Sequence, residues 1–290
     1  TAYEIKECDW SSDVCSSDLA LTSPFALNAI PVHLNASFNN DASGSYVRGL
    51  IHVAPEAITV HENADGTYEL QFEVLVYAFG DNGLPVDHLD RIATLKMPKD
   101  LYERFKTAGL VYDVAFPMKK PGGYQIRVAL RDKESGKIGS ASQFVDVPDL
   151  RKKRLILSGI SFATVGDRAA GKTANDDLDA LTATSQRSFA RGDLLTYGVR
   201  IFNAKQDQTV SKLNMRVRVY YEGDMVLDGQ WKALGPDSFA DPLRPVALGS
   251  LSLGPSMRPG SYVLEVTVRD DLRDAKHQLA VQRLDFEVRP

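Results

Sequence analysis

The sequence predicts a mainly all-β chain, two β-sandwiches in tandem with one short helix near residues 99–108. Three observations carry this. Apolar and polar residues alternate with period two over most of the 290 residues, as half-buried strands require, because successive side chains leave a strand on opposite faces. Turn signals rich in Asn, Asp and Gly separate the alternating runs. One stretch occurs twice: PGGYQIRVALRD at 121–132 returns as PGSYVLEVTVRD at 259–270, with Pro, Gly, Tyr, Val, Arg and Asp at the same offsets.

The elements follow in order. Ile30, Val32, Leu34, Ala36 and Phe38 alternate with more polar neighbours, and a second run covers Tyr46–Val53. Asn63-Ala64-Asp65-Gly66 turns into a long strand, Tyr68–Phe79. Asp81-Asn82-Gly83 turns again, since Asn and Gly tolerate positive φ, and His88–Met97 returns. Pro98-Lys99-Asp100 opens the helix; Leu101, Tyr102, Phe105 and Ala108 recur at helical spacing, and Gly109 stops it. Strands follow at Val111–Phe116, Tyr124–Leu130 and Ile138–Val147.

A first sandwich is therefore expected at 20–148, a linker at 149–154 and a second sandwich at 155–290. The four bases Arg151, Lys152, Lys153 and Arg154 read as a solvated linker rather than a nucleic-acid or localisation signal. Leu155–Phe162 reads as a strand, and 164–190 as a long exposed loop with a short helix near Asp176–Leu181. Strands resume at Leu194–Asn203 and Leu213–Tyr221; Glu222-Gly223-Asp224 turns into Met225–Trp231, a hairpin. Val246–Leu253, Tyr262–Val268 and Leu279–Val288 complete the set.

The repeat has a physical reading. Pro121-Gly122 and Pro259-Gly260 turn the chain into the penultimate strand of each half, which runs to Arg131-Asp132 and Arg269-Asp270. Tyr124, Ile126, Val128 and Leu130 share one face, as do Tyr262, Leu264, Val266 and Val268. Tyr124 and Tyr262 stand where immunoglobulin-like and fibronectin-like sandwiches place a structural tyrosine whose hydroxyl bonds back to the backbone. Repeated supersecondary units imply repeated domains.

Residues 1–19 are of another kind. DWSSDVCSSDL, Asp9–Leu19, matches letter for letter the translation of a common short-read library adapter, and TAYEI, Thr1–Ile5, matches its outer part in the same frame. The segment reads as adapter-derived and outside the fold. It holds both cysteines, one of 34 basic residues and five of 38 acidic ones, which leaves 33 of each in 20–290. The net charge of −4 thus falls to zero, and no electrostatic reason remains to expect a nucleic acid or an anionic membrane. Without cysteine, 20–290 has no disulfide, thiolate metal site or cysteine nucleophile. No apolar run approaches the ~18 residues that span a membrane.

Few constellations could carry chemistry. Gly166-Asp167-Arg168-Ala169-Ala170-Gly171-Lys172-Thr173 satisfies the phosphate-loop pattern G-x-x-x-x-G-K-S/T. A true phosphate loop opens a long apolar helix in a parallel α/β sheet, whereas ANDDLDALTATSQ, which follows, is acidic and weakly apolar. An exposed loop is the preferred reading, with nucleotide binding the remote alternative. None of the five histidines, His33, His52, His61, His88 and His277, is paired at metal-ligand spacing. No catalytic residue, metal or cofactor is assigned. Tyr220, Tyr221 and Trp231 flank one hairpin and could build a sugar-stacking platform, although a sandwich core uses the same residue types.

SPFALNAIPV (23–32), FGDNGLPVD (79–87), KKPGGYQIRVALRDKESGKIGSASQFVDVPDL (119–150) and LILSGI (155–160) together resemble the C-terminal region of bacterial VWFA-related domain proteins. The resemblance is dense over 22–160 and thinner beyond. It implies an upstream von Willebrand factor A domain, absent here, and an export signal, hence a periplasmic, cell-surface or secreted protein. The A domain's metal site is carried onto no residue of this chain. The expected function is a non-catalytic binding or scaffold tail with a protein partner, and the alternative is a carbohydrate-binding module.

Overall fold

The computed structural model describes residue 21, residues 26–164, 185–207 and 211–290. The adapter-like segment 1–19, the phosphate-loop pattern 166–173 and the expected helix near 176–181 lie outside the described residues. Contacts divide the chain into two compact units. One is built on Leu50–Tyr112 and Gly123–Val145 with the chain before Ser37, the other on Ser37–Gly49, Asp113–Gly122 and Asp146–Pro290.

The first eight strands are β1 (Val32–Asp41), β2 (Gly44–Val53), β3 (His61–Glu62), β4 (Tyr68–Phe79), β5 (Pro85–Met97), β6 (Leu110–Pro117), β7 (Gly122–Asp132) and β8 (Ile138–Val147). They form two sheets, β1-β2-β6 and β5-β4-β7-β8, with β3 also on β4. Period-two alternation buries Leu70, Phe72, Val74, Val76 and Ala78 of β4 and Tyr124, Ile126, Val128 and Leu130 of β7, and Leu34, Ala36 and Ile51 of the first two strands are buried as well. Phe72 meets Tyr112 edge to face across the layers, with centroids 5.9 Å apart. Each fully buried aliphatic or aromatic side chain contributes about 1.5–3 kcal/mol.

The helix α1 (Lys99–Ala108) joins β5 to β6. Its apolar spacing buries Phe105 and stacks Tyr102 on Tyr68 at 3.9 Å between centroids. Gly109 ends it with φ 75°, its N–H donating to Phe105 O at 2.8 Å. A Cβ here would lie 2.4 Å from Val53 O, so position and φ both demand glycine. His52, buried on β2, holds the helix end through Nε2 and Ala108 O at 2.9 Å.

The remaining strands are β9 (Ile156–Leu157), β10 (Ser161–Thr164), β11 (Ser188–Ala190), β12 (Leu194–Phe202), β13 (Leu213–Tyr221), β14 (Asp224–Asp228), β15 (Lys232–Ala233), β16 (Val246–Ser252), β17 (Gly260–Asp270) and β18 (Leu279–Arg289). They form β10-β12-β16 and β11-β18-β17-β13-β14, with β9 on β12 and β15 on β13. Apart from β9, β11 and β15 here and β3 in the first half, the strand order repeats that of the first eight. The repeated sequence is β7 in one half and β17 in the other, 11 residues each. Phe162, Phe189 and Phe286 meet edge to face in the second core, with centroids 5.5, 5.8 and 6.4 Å apart. The fold is thus mainly β, two sandwiches with one helix.

Three details differ from the sequence expectation. The strand expected over Leu155–Phe162 is two pieces. Leu157 pairs with Ile201 and Ser161 with Gly198, so three residues oppose two and a bulge interrupts the edge. Ser158 pins it, accepting from Arg200 N at 2.9 Å through its hydroxyl. The loop expected over 164–190 ends in a strand, β11, which pairs parallel with the end of β18. The strand expected over Met225–Trp231 stops at Asp228, where Gly229 approaches Val217 O so closely that a Cβ would lie 2.7 Å from it.

Candidate functional site

The repeat brings two aspartates to the same place in each sandwich. Asp132 and Asp270, ending β7 and β17, are 1% and 0% exposed. Asp132 accepts from Thr59 Oγ1 at 2.7 Å and from Ser135 N and Oγ at 3.0 and 2.5 Å. Asp270 accepts from Lys205 N at 2.8 Å, Leu272 N at 3.1 Å and Arg273 Nε at 3.0 Å. Each carboxylate therefore ties the turn after its own strand to the segment before β3 in one half or before β13 in the other. Burial alone would raise the Asp132 pKa, but hydrogen bonds from Ser135 and Thr59 hold it below its ordinary value. Such aspartates lock loops, and nothing in the geometry exposes them to a substrate.

The other repeat residues have local tasks. Tyr262 donates its hydroxyl to Arg258 O, four residues upstream, at 2.8 Å, closing the corner that leads into β17. Tyr124 is buried at the same position of β7. Arg269 lies 4.7 Å from the Trp231 ring centroid and pairs with Asp271 at 2.6 Å. Arg131 stands opposite Glu73 in the β4–β7 ladder. Pro121-Gly122 and Pro259-Gly260 lead into their strands, Gly122 and Gly260 with φ of 152° and 137°.

Tyr220, Tyr221 and Trp231 do not share one surface: Tyr220 and Tyr221 both line a cleft of about 680 Å³ with Pro259, Gly260 and Arg283, and Trp231 stands apart from it. Consecutive strand residues face opposite ways. Tyr221 turns toward the core and lies 4.8 Å from Tyr262, while Tyr220 pairs with Met225 on the other face. Trp231 precedes Lys232, which pairs with Met215 near the far end of β13, roughly 15 Å away along the strand. Guanidinium groups cover the indole: Arg269, and Arg216 at 5.9 Å. Beside it Arg216 and Arg218 converge on Asp228 and hold its pKa below the ordinary value. Arg218 and Arg283 pair with the buried Glu265. This face is a closed charge network.

The open surface is the neighbouring edge. Tyr221 and Asp224 flank a two-residue turn, Glu222-Gly223, with φ of 51° and 90°, the hairpin type that matches strand twist. Among the described residues β14 leaves that turn paired only with β13. Its Met225, Val226 and Leu227 are 51%, 54% and 42% exposed. Beside it opens a cleft of about 650 Å³, lined among others by Val219, Tyr221, Val226, Leu227, Leu251 and Met257. Among the described residues Glu222 and Asp224 have no ion-pair partner. The sequence identifies this hairpin but not its exposure, which depends on which strand ends the sheet.

The remaining sequence candidates are dispersed. In the expected linker, Leu150–Lys152 form one 3-10 turn capped by the Asp149 carboxylate on Arg151 N. His33 and His52 have ring centroids 6.2 Å apart, His61 contacts Glu134, His88 stacks on Tyr77 and His277 bonds Asp274 at 2.8 Å. Among the described residues no group of three or more His, Cys, Asp or Glu is placed to hold a metal. Nor is any described helix long and apolar enough to cross a membrane.

No family model matches the chain, and no curated protein matches it. Among solved structures it is similar to the native conformation of E. coli alpha-2-macroglobulin, at 15% identity and a TM-score of 0.29, over 89% of this chain and 17% of that one. It is similar also to a Salmonella alpha-2-macroglobulin mutant, at 11% identity and a TM-score of 0.30, over 89% and 16%. The chain thus spans about a sixth of the length of those proteins.

Proposed function

We propose that this chain is a non-catalytic binding or scaffold tail of an exported VWFA-related protein, and that it binds a protein partner through β14. The observation that carries the reading is the five-residue edge strand with three consecutive exposed apolar residues beside a cleft of mixed lining, Val219, Leu251 and Met257 together with Ser252, Ser256 and Arg258. An unpaired edge offers backbone N–H and C=O groups to an added strand, and alternate side chains of that strand can fill the cleft. The free carboxylates of Glu222 and Asp224 favour a basic residue at the matching end of the partner. The resemblance of 22–160 to the VWFA-related tails supports the assignment to an exported protein.

Selection of displayed peptides on the whole chain tests this. Enriched peptides are expected to alternate apolar residues next to a Lys or Arg, and to lose binding to Val226→Asp and Leu227→Asp. Enrichment indifferent to both substitutions would count against it. So would turnover of a substrate that a single carboxylate or histidine substitution abolishes.

A further inference from the structure

β5 presents a second open edge, and its sequence is complementary to itself. The strand runs 13 residues and, among the described residues, pairs along that length with β4 only. Val86 and Ile92 are 53% and 58% exposed, and Leu84 just before the strand is 61% exposed. Among the described residues Asp90 and Arg91 have no ion-pair partner. A long, unpaired edge with exposed apolar residues is a template for another strand.

Opposite residues in an antiparallel pair point to the same face, so a dyad through one residue pairs each face with its own kind. With the dyad at Leu89, Leu89 meets Leu89 of the second copy. On the same face Arg91 meets Asp87 and Ala93 meets Pro85. On the other face Asp90 meets His88 and Ile92 meets Val86. The two-fold makes each unlike pair twice. Moving the dyad two residues either way would set Asp87 on Asp87 or Arg91 on Arg91, like charge on like, which opposes pairing.

We propose that the chain forms a dimer with a second copy of itself through β5, with Leu89 on the two-fold axis. The two sheets β5-β4-β7-β8 become one continuous sheet, and the ion pair Arg91–Asp87, made twice, sets its register. This contact uses neither β14 nor its cleft, so either proposal can fail alone.

Sedimentation of the whole chain over a concentration series is expected to show a monomer–dimer equilibrium. Arg91→Asp, which sets two acids face to face at both ends, is expected to weaken the dimer at least about tenfold. Adding Asp87→Arg reverses both ends of each pair and is expected to restore it. A chain that stays monomeric at every concentration, or a dimer that Arg91→Asp leaves unchanged, overturns the proposal. Circular dichroism confirms that each variant is folded. A second readout needs no charge change: with Cys8→Ser and Cys15→Ser in the background, Leu89→Cys is expected to crosslink two copies through a short bis-maleimide, and Val226→Cys is not. The reverse pattern overturns the proposal.

Discussion

β5 and β14 occupy the same place in their sandwiches, the outermost position next to β4 in one and β13 in the other. They differ in length, 13 residues against five, and in how each would meet a copy of itself. A dyad at Val226 would set Asp224 against Asp228 at both ends, whereas a dyad at Leu89 matches acid with base and apolar with apolar. Topology thus creates an open edge in each half, and the side chains along it decide what it accepts. Asp228 is already held by Arg216 and Arg218, so in that register β14 gains no ion pair from its own copy, and its exposed Met225, Val226 and Leu227 are offered to a different partner.

The internal locks of the two sandwiches differ as well, and variants can test that contrast. The largest effect is expected at Asp270. Asp270→Ala strands the Arg273 guanidinium, which reaches the carboxylate at 3.0 Å and Asn203 O. Urea denaturation is expected to show a loss of about 3–5 kcal/mol. Asp132→Ala removes bonds to two hydroxyls and one N–H, and is expected to cost about 1–3 kcal/mol. Equal losses would mean that the repeat aspartates act alike despite their different partners.

The next effect depends on pH and belongs to the first sandwich. Burial holds the His52 pKa below its ordinary 6.5, against the Ala108 carbonyl, and nearby His33 adds repulsion. The unfolded chain binds the proton more readily, so the contribution of neutral His52 is fully present above about pH 6.5 and is lost as pH falls through the lower folded value. His52→Gln is expected to flatten the fall in melting temperature below pH 6.5, and an unchanged acid slope would assign that fall to other groups. The smallest effect is expected at the turn into β14. Gly223→Ala meets no neighbour but imposes φ of 90° on a Cβ, at a cost of about 1 kcal/mol. That variant is expected to weaken capture of displayed peptides while leaving the β5 dimer intact.

What the sequence made legible was local. Period two in 124–130 and 262–268 identifies the core strands because each alternate residue meets the opposing layer. Pro98 and Gly109 bracket the helix because both act through their own backbone. What stayed hidden depends on distant partners. The three residues of β11 carry no periodicity of their own and become a strand only against Glu287–Arg289. Ser158–Ile160 looks like uninterrupted strand until the register to β12 is known. The adjacency of Tyr220 and Tyr221 dictates opposite faces, but Trp231 is set apart by the close approach of Gly229 to Val217. Edge exposure is the extreme case, since nothing within 85–97 or 224–228 states which strand lies beside it.

The parallel seam between β11 and β18 has a mechanical consequence. Chain enters β11 at Ser188 and leaves β18 at Arg289, at opposite ends of a ladder whose strands run the same way. Tension between Arg187 and Pro290 therefore slides the two strands lengthwise past each other. The ladder, the flanking bonds Glu287 N to Arg187 O and Arg191 N to Arg289 O, and the Arg187–Asp285 ion pair at 2.6 Å take the load together instead of peeling in turn. Pulling a single molecule from those two positions is expected to give one abrupt rupture for this seam, whereas a hairpin opened from its end yields bond by bond.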